Sequence, residues 1–389
     1  MEIDNLKYNS ENIKYKRKHS INLFTFITLL FFIIIIFLIL KIIFFNSILI
    51  KFISNYKDIK NFIENNLKIN YVNNNKSNIN FDKNNFVLKT KCDNDMRFYQ
   101  ELLKLYIENN TEFKIRGRQR IMEIFGKTYN DSNISTIQDK LNWALIHENP
   151  EYKSKIADKI LLHEYSKKIL GKDICVPILK VYNSSKEINL DELPEKFVLK
   201  CNHGSGMNIL CNNKSNFNLI YAKNMLDMWQ KQNYGLSNFE YQYINIQRKI
   251  FVEKFLVDNI IDYKVYCFNG EPQFIRVQKN LPDNSAKINN YYNLDWTLNE
   301  IETGLGNHFV RRPDIIFDKP KNLDLMIQYS KKLSYEFIFV RVDFYEINEE
   351  IYLGEMTFSP SNNIFNCKDR NQSLYLGSLL DISKIKINL

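Results

Sequence analysis

Apolar and polar positions divide the chain into stretches of different texture. Residues 1–20 are polar and basic, closing on Lys14, Lys16, Arg17, Lys18 and His19. Ile21 to Leu40 is an uncharged, mainly apolar run of twenty residues, and Ile42 to Ile50 adds a shorter apolar piece. The first run is long enough to cross a bilayer as a helix. A buried core helix is the alternative, but Phe31-Phe32-Ile33-Ile34-Ile35-Ile36-Phe37 leaves it no polar face. A cleaved signal peptide would have a shorter apolar core and a small-residue cleavage site. The expectation for 21–50 is therefore a single transmembrane helix with an interfacial extension. Residues 51–90 read as an Asn-rich linker, densest from Tyr71 to Asn78.

Residues 91–170 carry helical spacing. Phe98, Leu102, Leu103 and Tyr106 predict a helix from Asp95 to about Asn109. Further helices are predicted over Ile137 to His147 and over Tyr152 to Ile169, the latter containing Ala157-Asp158-Lys159. After Gly171 the pattern changes to short β-prone runs. They lie at Cys175–Val181, Phe197–Lys200, Ile209–Cys211, Ile250–Phe255, Tyr263–Phe268, Gln273–Val277, Ile338–Phe344 and Ile351–Met356. Helices intervene at about Leu219–Gln230 and Lys321–Tyr335. With no internal repeat, this mixture predicts an α+β region over 171–389 with largely antiparallel sheets.

The candidate chemistry begins at Phe197-Val198-Leu199-Lys200-Cys201-Asn202-His203-Gly204-Ser205-Gly206-Met207-Asn208-Ile209-Leu210. A strand ends in a lysine, passes through a glycine-containing turn and resumes. Gly204 and Gly206 permit positive φ and close approach of the backbone. Such a loop can aim several N–H groups at one anion, and the lysine adds a point charge suited to phosphate. The alternative is a plain hairpin turn with a solvated lysine.

Arg341-Val342-Asp343-Phe344-Tyr345 and Gly354-Glu355-Met356-Thr357 read as two strands of a hairpin joined through Asn348, Glu349 and Glu350. Asp343 and Glu355 then oppose one another across the ladder, which is unfavourable unless a cation lies between them. Mg²⁺ suits one or two carboxylates; the other reading is a pair of solvated acids with Arg341 neutralising one. A third piece runs from Phe251 to Leu256 and on through Asp262-Tyr263-Lys264. It is either a strand and loop offering backbone groups to a purine edge, or an ordinary hairpin.

Composition narrows the classes. In 389 residues the hydrophobic fraction is 45% and the charged fraction 25%, so the chain can build a full core. The net charge of +9 comes with Asn, Lys, Ile and Phe abundant throughout, and no basic stripe with interleaved aromatics is present. Nucleic acid is not an expected partner. The six cysteines form no C-x-x-C pair and are not expected to cluster with the five histidines, which argues against zinc.

Taken in order, these pieces resemble the TupA-like (teichuronopeptide-biosynthesis-type) ATP-grasp family. The matching stretches are Asp158-Lys159, the Lys200-Cys201-Asn202-His203-Gly204-Ser205-Gly206 core, Val252-Glu253, Asp262-Tyr263-Lys264, Cys267 to Pro272, Tyr292 to Trp296, Phe339 to Tyr345, Gly354 to Phe358 and Leu376-Gly377. The resemblance runs from about Gln119 to the C-terminus. It implies an ATP-grasp fold, two α+β lobes clasping a nucleotide, with a helical N-terminal part and the transmembrane helix before it. It implies ATP and Mg²⁺ as cofactors and a carboxylate–amine ligation through an acyl phosphate. Lys159 and Lys200 would contact the phosphates, under a lid made by the backbone of His203, Gly204, Ser205 and Gly206. Glu253, Lys254, Phe255 and Leu256 would form the adenine hinge, with Asp262 near the ribose. Lys264 and Arg341 would face the transferred phosphate and the acceptor. Asp343, Glu355 and Thr357 would hold the metal, Thr357 standing where many such enzymes have Asn. Ser359 to Asn363 lacks the glycine expected there. The family's association with surface polysaccharide implies a carboxylate-bearing sugar or amino-acid acceptor.

Two other classes stay open. A short tail, one span and a stem also fit a glycosyltransferase of type II topology, and Asp93-Asn94-Asp95 has the D-x-D form. A non-catalytic nucleotide-binding module is the other. The basic cluster before the span weakly favours a cytosolic N-terminus, which would put the catalytic region away from cytosolic ATP. N-x-S/T sequons at Asn75, Asn109, Asn130, Asn133, Asn183, Asn213 and Asn371 are modifiable only in a secretory lumen.

Overall fold

A computed structural model describes residues 110–124, 127–128, 133–281, 286–303 and 309–385. The candidate span, the linker, the helix expected from Asp95 and the Asp93-Asn94-Asp95 triplet lie outside the described residues. Among the described residues no helix is long and apolar enough to cross a membrane.

Among the described residues, four helices lead into the sheets: α1 (Asn110–Ile124), α2 (Ile137–His147), α3 (Pro150–Ala157) and α4 (Leu162–Leu170). The α2 boundaries follow its apolar spacing, and Thr136 with Asp139 closes a capping box at its start. The single helix expected over Tyr152–Ile169 is instead two. Asp158 breaks it, because its carboxylate accepts from the Ile160 and Leu161 amides at 2.9 and 3.4 Å and so competes with the helical ladder. Its other oxygen accepts from Asn202 Nδ2 at 3.0 Å. The break therefore ties the helices to the glycine-containing loop.

The smaller sheet has the order β1-β4-β2-β3, from β1 (Ile178–Tyr182), β2 (Phe197–Cys201), β3 (Asn208–Cys211) and β4 (Ile250–Lys254), all antiparallel. Strand alternation sorts its faces. Phe197, Leu199 and Cys201 join Ile250 and Val252 beneath Ala222 and Leu226 of α5 (Leu219–Lys231). Val198, Lys200 and Glu253 are left to the opposite face. The short α6 (Tyr234–Asn238) and an irregular stretch lead from α5 to β4.

The larger sheet runs β11-β10-β5-β6-β7-β8, with β9 parallel to β7. Its strands are β5 (Asp262–Phe268), β6 (Glu271–Asn280), β7 (Lys287–Tyr292), β8 (Leu298–Asn299), β9 (Phe309–Val310), β10 (Phe339–Ile347) and β11 (Glu350–Thr357). Val340, Val342 and Phe344 pack with Val265, Cys267 and Ile275 against Leu323, Met326 and Leu333 of α7 (Leu323–Ser334). On the other face, Tyr266, Phe268, Phe274 and Phe339 are covered by α2 and by α8 (Arg370–Ser378). Further along that same face, Arg341, Asp343 and Lys264 replace the aromatics, so one sheet surface passes from core to site.

One expectation about cysteine is corrected. Sequence separation hid a cluster: His163 Nδ1 lies 2.7 Å from Asp173, and with Cys175 these donors fall within 4.8 Å of one another. Burial, with Asp173 beside it, pushes the Cys175 thiol well up, so the group is a hydrogen-bonded triad built on a neutral thiol.

Candidate active site

The β2–β3 hairpin presents the glycine-containing loop. Lys200 pairs with Asn208 in register, and the Cys201 amide donates to the Met207 carbonyl at 3.0 Å to close the turn. Gly206 takes φ +73, in the left-handed region where a side chain is strained. Gly204 is needed for space: a Cβ there would sit 2.8 Å from the Tyr234 ring. His203 is buried behind the loop, its Nε2 donating to the Trp229 carbonyl at 3.0 Å. Burial lowers its pKa to about 4, so it stays neutral and anchors the loop to α5. Ser205 and Gly206 form the exposed tip.

Beside the β2–β3 hairpin strands, a cavity of about 660 Å³ opens between the sheets. The small sheet supplies Val198, Lys200, Leu210 and Glu253, and Lys254, Phe255 and Leu256 follow at the strand end. Asp262, Gln278 and Tyr345 come from the large sheet. Lys200 Nζ is ion-paired with Glu253 inside it. The phosphate lysine, the hinge and the ribose acid expected from sequence thus line one space.

The β10–β11 hairpin forms the other end. Its turn, Asn348-Glu349, has both φ values positive, as a two-residue type I′ turn requires. The register places Asp343 directly opposite Glu355 and Arg341 opposite Thr357. A bulge follows Asp343, and at Gly354 a Cβ would come within 2.9 Å of the Tyr345 ring. Arg341 donates from Nε and Nη2 to the two Asp343 oxygens, each at 2.6 Å, and from Nη2 to Thr357 Oγ1 at 3.1 Å and Glu355 Oε1 at 3.4 Å. Lys264, opposite Asp343 on β5, donates to Asp343 Oδ2 at 2.8 Å. Burial alone would raise the Asp343 carboxyl, but the Arg341 and Lys264 charges outweigh it and hold it at about 2. Lys159 joins the two ends: its Nζ donates to the Gly204 carbonyl at 2.7 Å and lies 3.7 Å from Glu355 Oε2.

The residues fit a magnesium nucleotide by their donor chemistry. Asp343, Glu355 and Thr357 form an all-oxygen set with Lys159 and Lys264 beside it, which suits Mg²⁺ carrying phosphate oxygens. Asp343 uses three of its roughly four lone-pair sites on Arg341 and Lys264. Glu355, 30% exposed at its side chain, has the more accessible oxygens.

A second cavity of about 270 Å³ adjoins this end, lined by Ser205, Tyr234, Glu240, Arg341, Glu355 and Thr357 among others. Sequence reasoning missed Glu240, Tyr234 and Tyr345. The first two stand in irregular or short segments with no periodic signal, and the alternation around Tyr345 marks it as strand without marking it as site.

A family model for TupA-like ATP-grasp proteins matches residues 139–381. No curated protein matches the chain. Among solved structures, N5-carboxyaminoimidazole synthetase of Staphylococcus aureus with ADP is 16% identical, covering 58% of this chain and 52% of that one, with a TM-score of 0.35. D-alanine–D-alanine ligase of Bacillus anthracis with ATP is 12% identical, covering 66% and 74%, also at 0.35. Biotin carboxylase of Campylobacter jejuni is 11% identical, covering 61% and 48%, again at 0.35. The chain spans about half the length of the synthetase. These scores are too low for the likeness to bear on the chemistry.

Proposed function

The chain belongs to the TupA-like ATP-grasp family, and from that premise we propose that it is an ATP- and Mg²⁺-dependent carboxylate–amine ligase, membrane-anchored and acting in cell-surface polysaccharide or glycoconjugate assembly. The observation that supports this most is the run of contacts from the glycine-containing loop to the β10–β11 acids: Lys159 donates to the Gly204 carbonyl and lies 3.7 Å from Glu355, Arg341 joins Glu355 to Asp343, and Lys200 lines the neighbouring cavity. ATP with Mg²⁺, when bound, supplies the phosphoryl group that activates a carboxylate as an acyl phosphate. Lys200 and Lys159 hold phosphate oxygens as point charges, and the loop from His203 to Gly206 closes over them. Glu253 to Leu256 meets the base, and Asp262 the ribose. Asp343, Glu355 and Thr357 hold the metal. Arg341 and Lys264, already fixed by Asp343, face the transferred phosphoryl group, so little reorganisation is needed as charge develops.

Anchoring rests on the apolar run within 21–50. The glycan role and a sugar or amino-acid acceptor rest on the family's association. The test of activity is ADP release by the full chain with MgATP and a panel of uronic acids, amino acids and amines. Release that depends on both a carboxylate and Mg²⁺ supports the proposal. Release unchanged by omitting carboxylate, or by EDTA, counts against it. A glycosidase-sensitive mass shift on the protein from its native host would place the catalytic region in a lumen.

A further inference from the structure

We propose that Glu240 receives the amine that completes the ligation: from the wall of the second cavity its carboxylate holds the ammonium group and accepts its proton. This rests on the ligase reading above and assigns a residue that reading leaves unused.

Glu240 is 5% exposed and lines the cavity that also contains Arg341, Glu355 and Thr357. Its Oε2 accepts from the Ser359 hydroxyl and from Gln242 Nε2 at 3.4 Å, and the Tyr234 hydroxyl hydrogen-bonds to it as well. All three donors are neutral. Asp343 and Glu253, by contrast, have a cation in contact: Asp343 has Arg341 and Lys264, and Glu253 has Lys200. Arg118 on α1 adds a positive field at Glu240, and its guanidinium donates to Asn142 and Asn362. Arg341 is engaged with Asp343. The other titratable groups facing Glu240 are Tyr234, Tyr243 and, across the cavity, Glu355. The wall is therefore rich in acceptors, and Gln242 Oε1, buried beside the acid, has no partner among the described residues. A desolvated carboxylate with only neutral donors is costly, and an incoming ammonium removes that cost. Burial also raises the Glu240 carboxyl to about 7, where a group exchanges protons readily at neutral pH.

The step balances. The ammonium gives one proton to Glu240. The freed nitrogen lone pair attacks the acyl-phosphate carbonyl carbon, the C–N bond forms and the C–O bond to phosphate breaks. The second nitrogen proton leaves with the phosphate.

The test compares wild type with Glu240→Gln in the full chain, using MgATP, a carboxylate panel (glucuronate, galacturonate, glutamate, aspartate), and either hydroxylamine or an alkyl-amine panel of alanine, lysine and ethanolamine. Hydroxylamine is uncharged at neutral pH and needs no base. Glu240→Gln is expected to keep hydroxamate formation while amide formation falls about 100-fold. In wild type, amide formation rises with pH through about 7 and hydroxamate formation does not; this holds the inference to account even if the variant folds poorly. Equal loss with both nucleophiles, or no loss with either, overturns the role of Glu240. Wild type that forms no hydroxamate with any carboxylate overturns the ligase reading, and this inference with it.

Discussion

Asp343 is almost fully buried, yet it is held ionised by contacts to Arg341 and Lys264. Removing its charge leaves Arg341 and Lys264 with only their longer contacts, to Glu355 and Asp262 at 3.4 Å each, so Asp343→Asn is expected to cost about 3 kcal/mol of stability, read by urea denaturation. Glu355 differs. Its side chain is part exposed and its cationic neighbours stand 3.4 and 3.7 Å away. Glu355→Gln and Lys200→Met should therefore leave the fold intact while reducing nucleotide turnover by at least about 100-fold; full activity in either variant contradicts the assigned roles. His203 gives a pH effect of defined sign. Its folded pKa, about 4, is depressed below the usual 6.5 by burial, so the neutral form's contribution is present above about 6.5 and lost as pH falls towards 4. His203→Gln keeps a donor for the Trp229 carbonyl and should flatten the acid arm of the stability curve. An arm as steep in the variant as in wild type places the acid sensitivity elsewhere.

At the scale of elements, what could be read from the sequence depended on how local the determining contacts are. The β2–β3 and β10–β11 hairpins pair neighbours in the chain, and their alternation and turn residues announced them, down to Asp343 facing Glu355. The strand β7 was not evident, because its interior carries Asn289 and Asn290, buried in hydrogen bonds to Gln278, Arg312 and Ile315 rather than by apolarity. The helix break at Asp158 was missed because an Asp inside a helical pattern does not announce that its carboxylate will turn back on the Ile160 and Leu161 amides, and the Asn202 bond to its other oxygen comes from 44 residues away. Glu240 was missed likewise: Ser359, its strongest partner, is 119 residues distant. Packing of α8 gives a test independent of the site. A Cβ at Gly377 would stand 2.3 Å from the Ser135 carbonyl oxygen. Gly377→Ala should destabilise by about 1–3 kcal/mol, with the affinity for MgADP little changed. A large loss of affinity in protein that remains folded would mean that α8 shapes the cleft directly.

Across the whole molecule, the smaller sheet contributes a lysine and a hinge, the larger sheet the acids and the arginine, and the nucleotide-sized cleft lies between them. A ligand that contacts both sheets stabilises the folded state by mass action, by about 2.7 kcal/mol at a hundred times its Kd. The most direct measurement is the melting temperature of the full chain with MgATP and, separately, with a panel of nucleotide sugars. A rise of about 2–4 °C with MgATP, greatly reduced in Glu355→Gln, is the expected result. A rise with a nucleotide sugar and none with MgATP would contradict it and make glycosyl transfer the better reading.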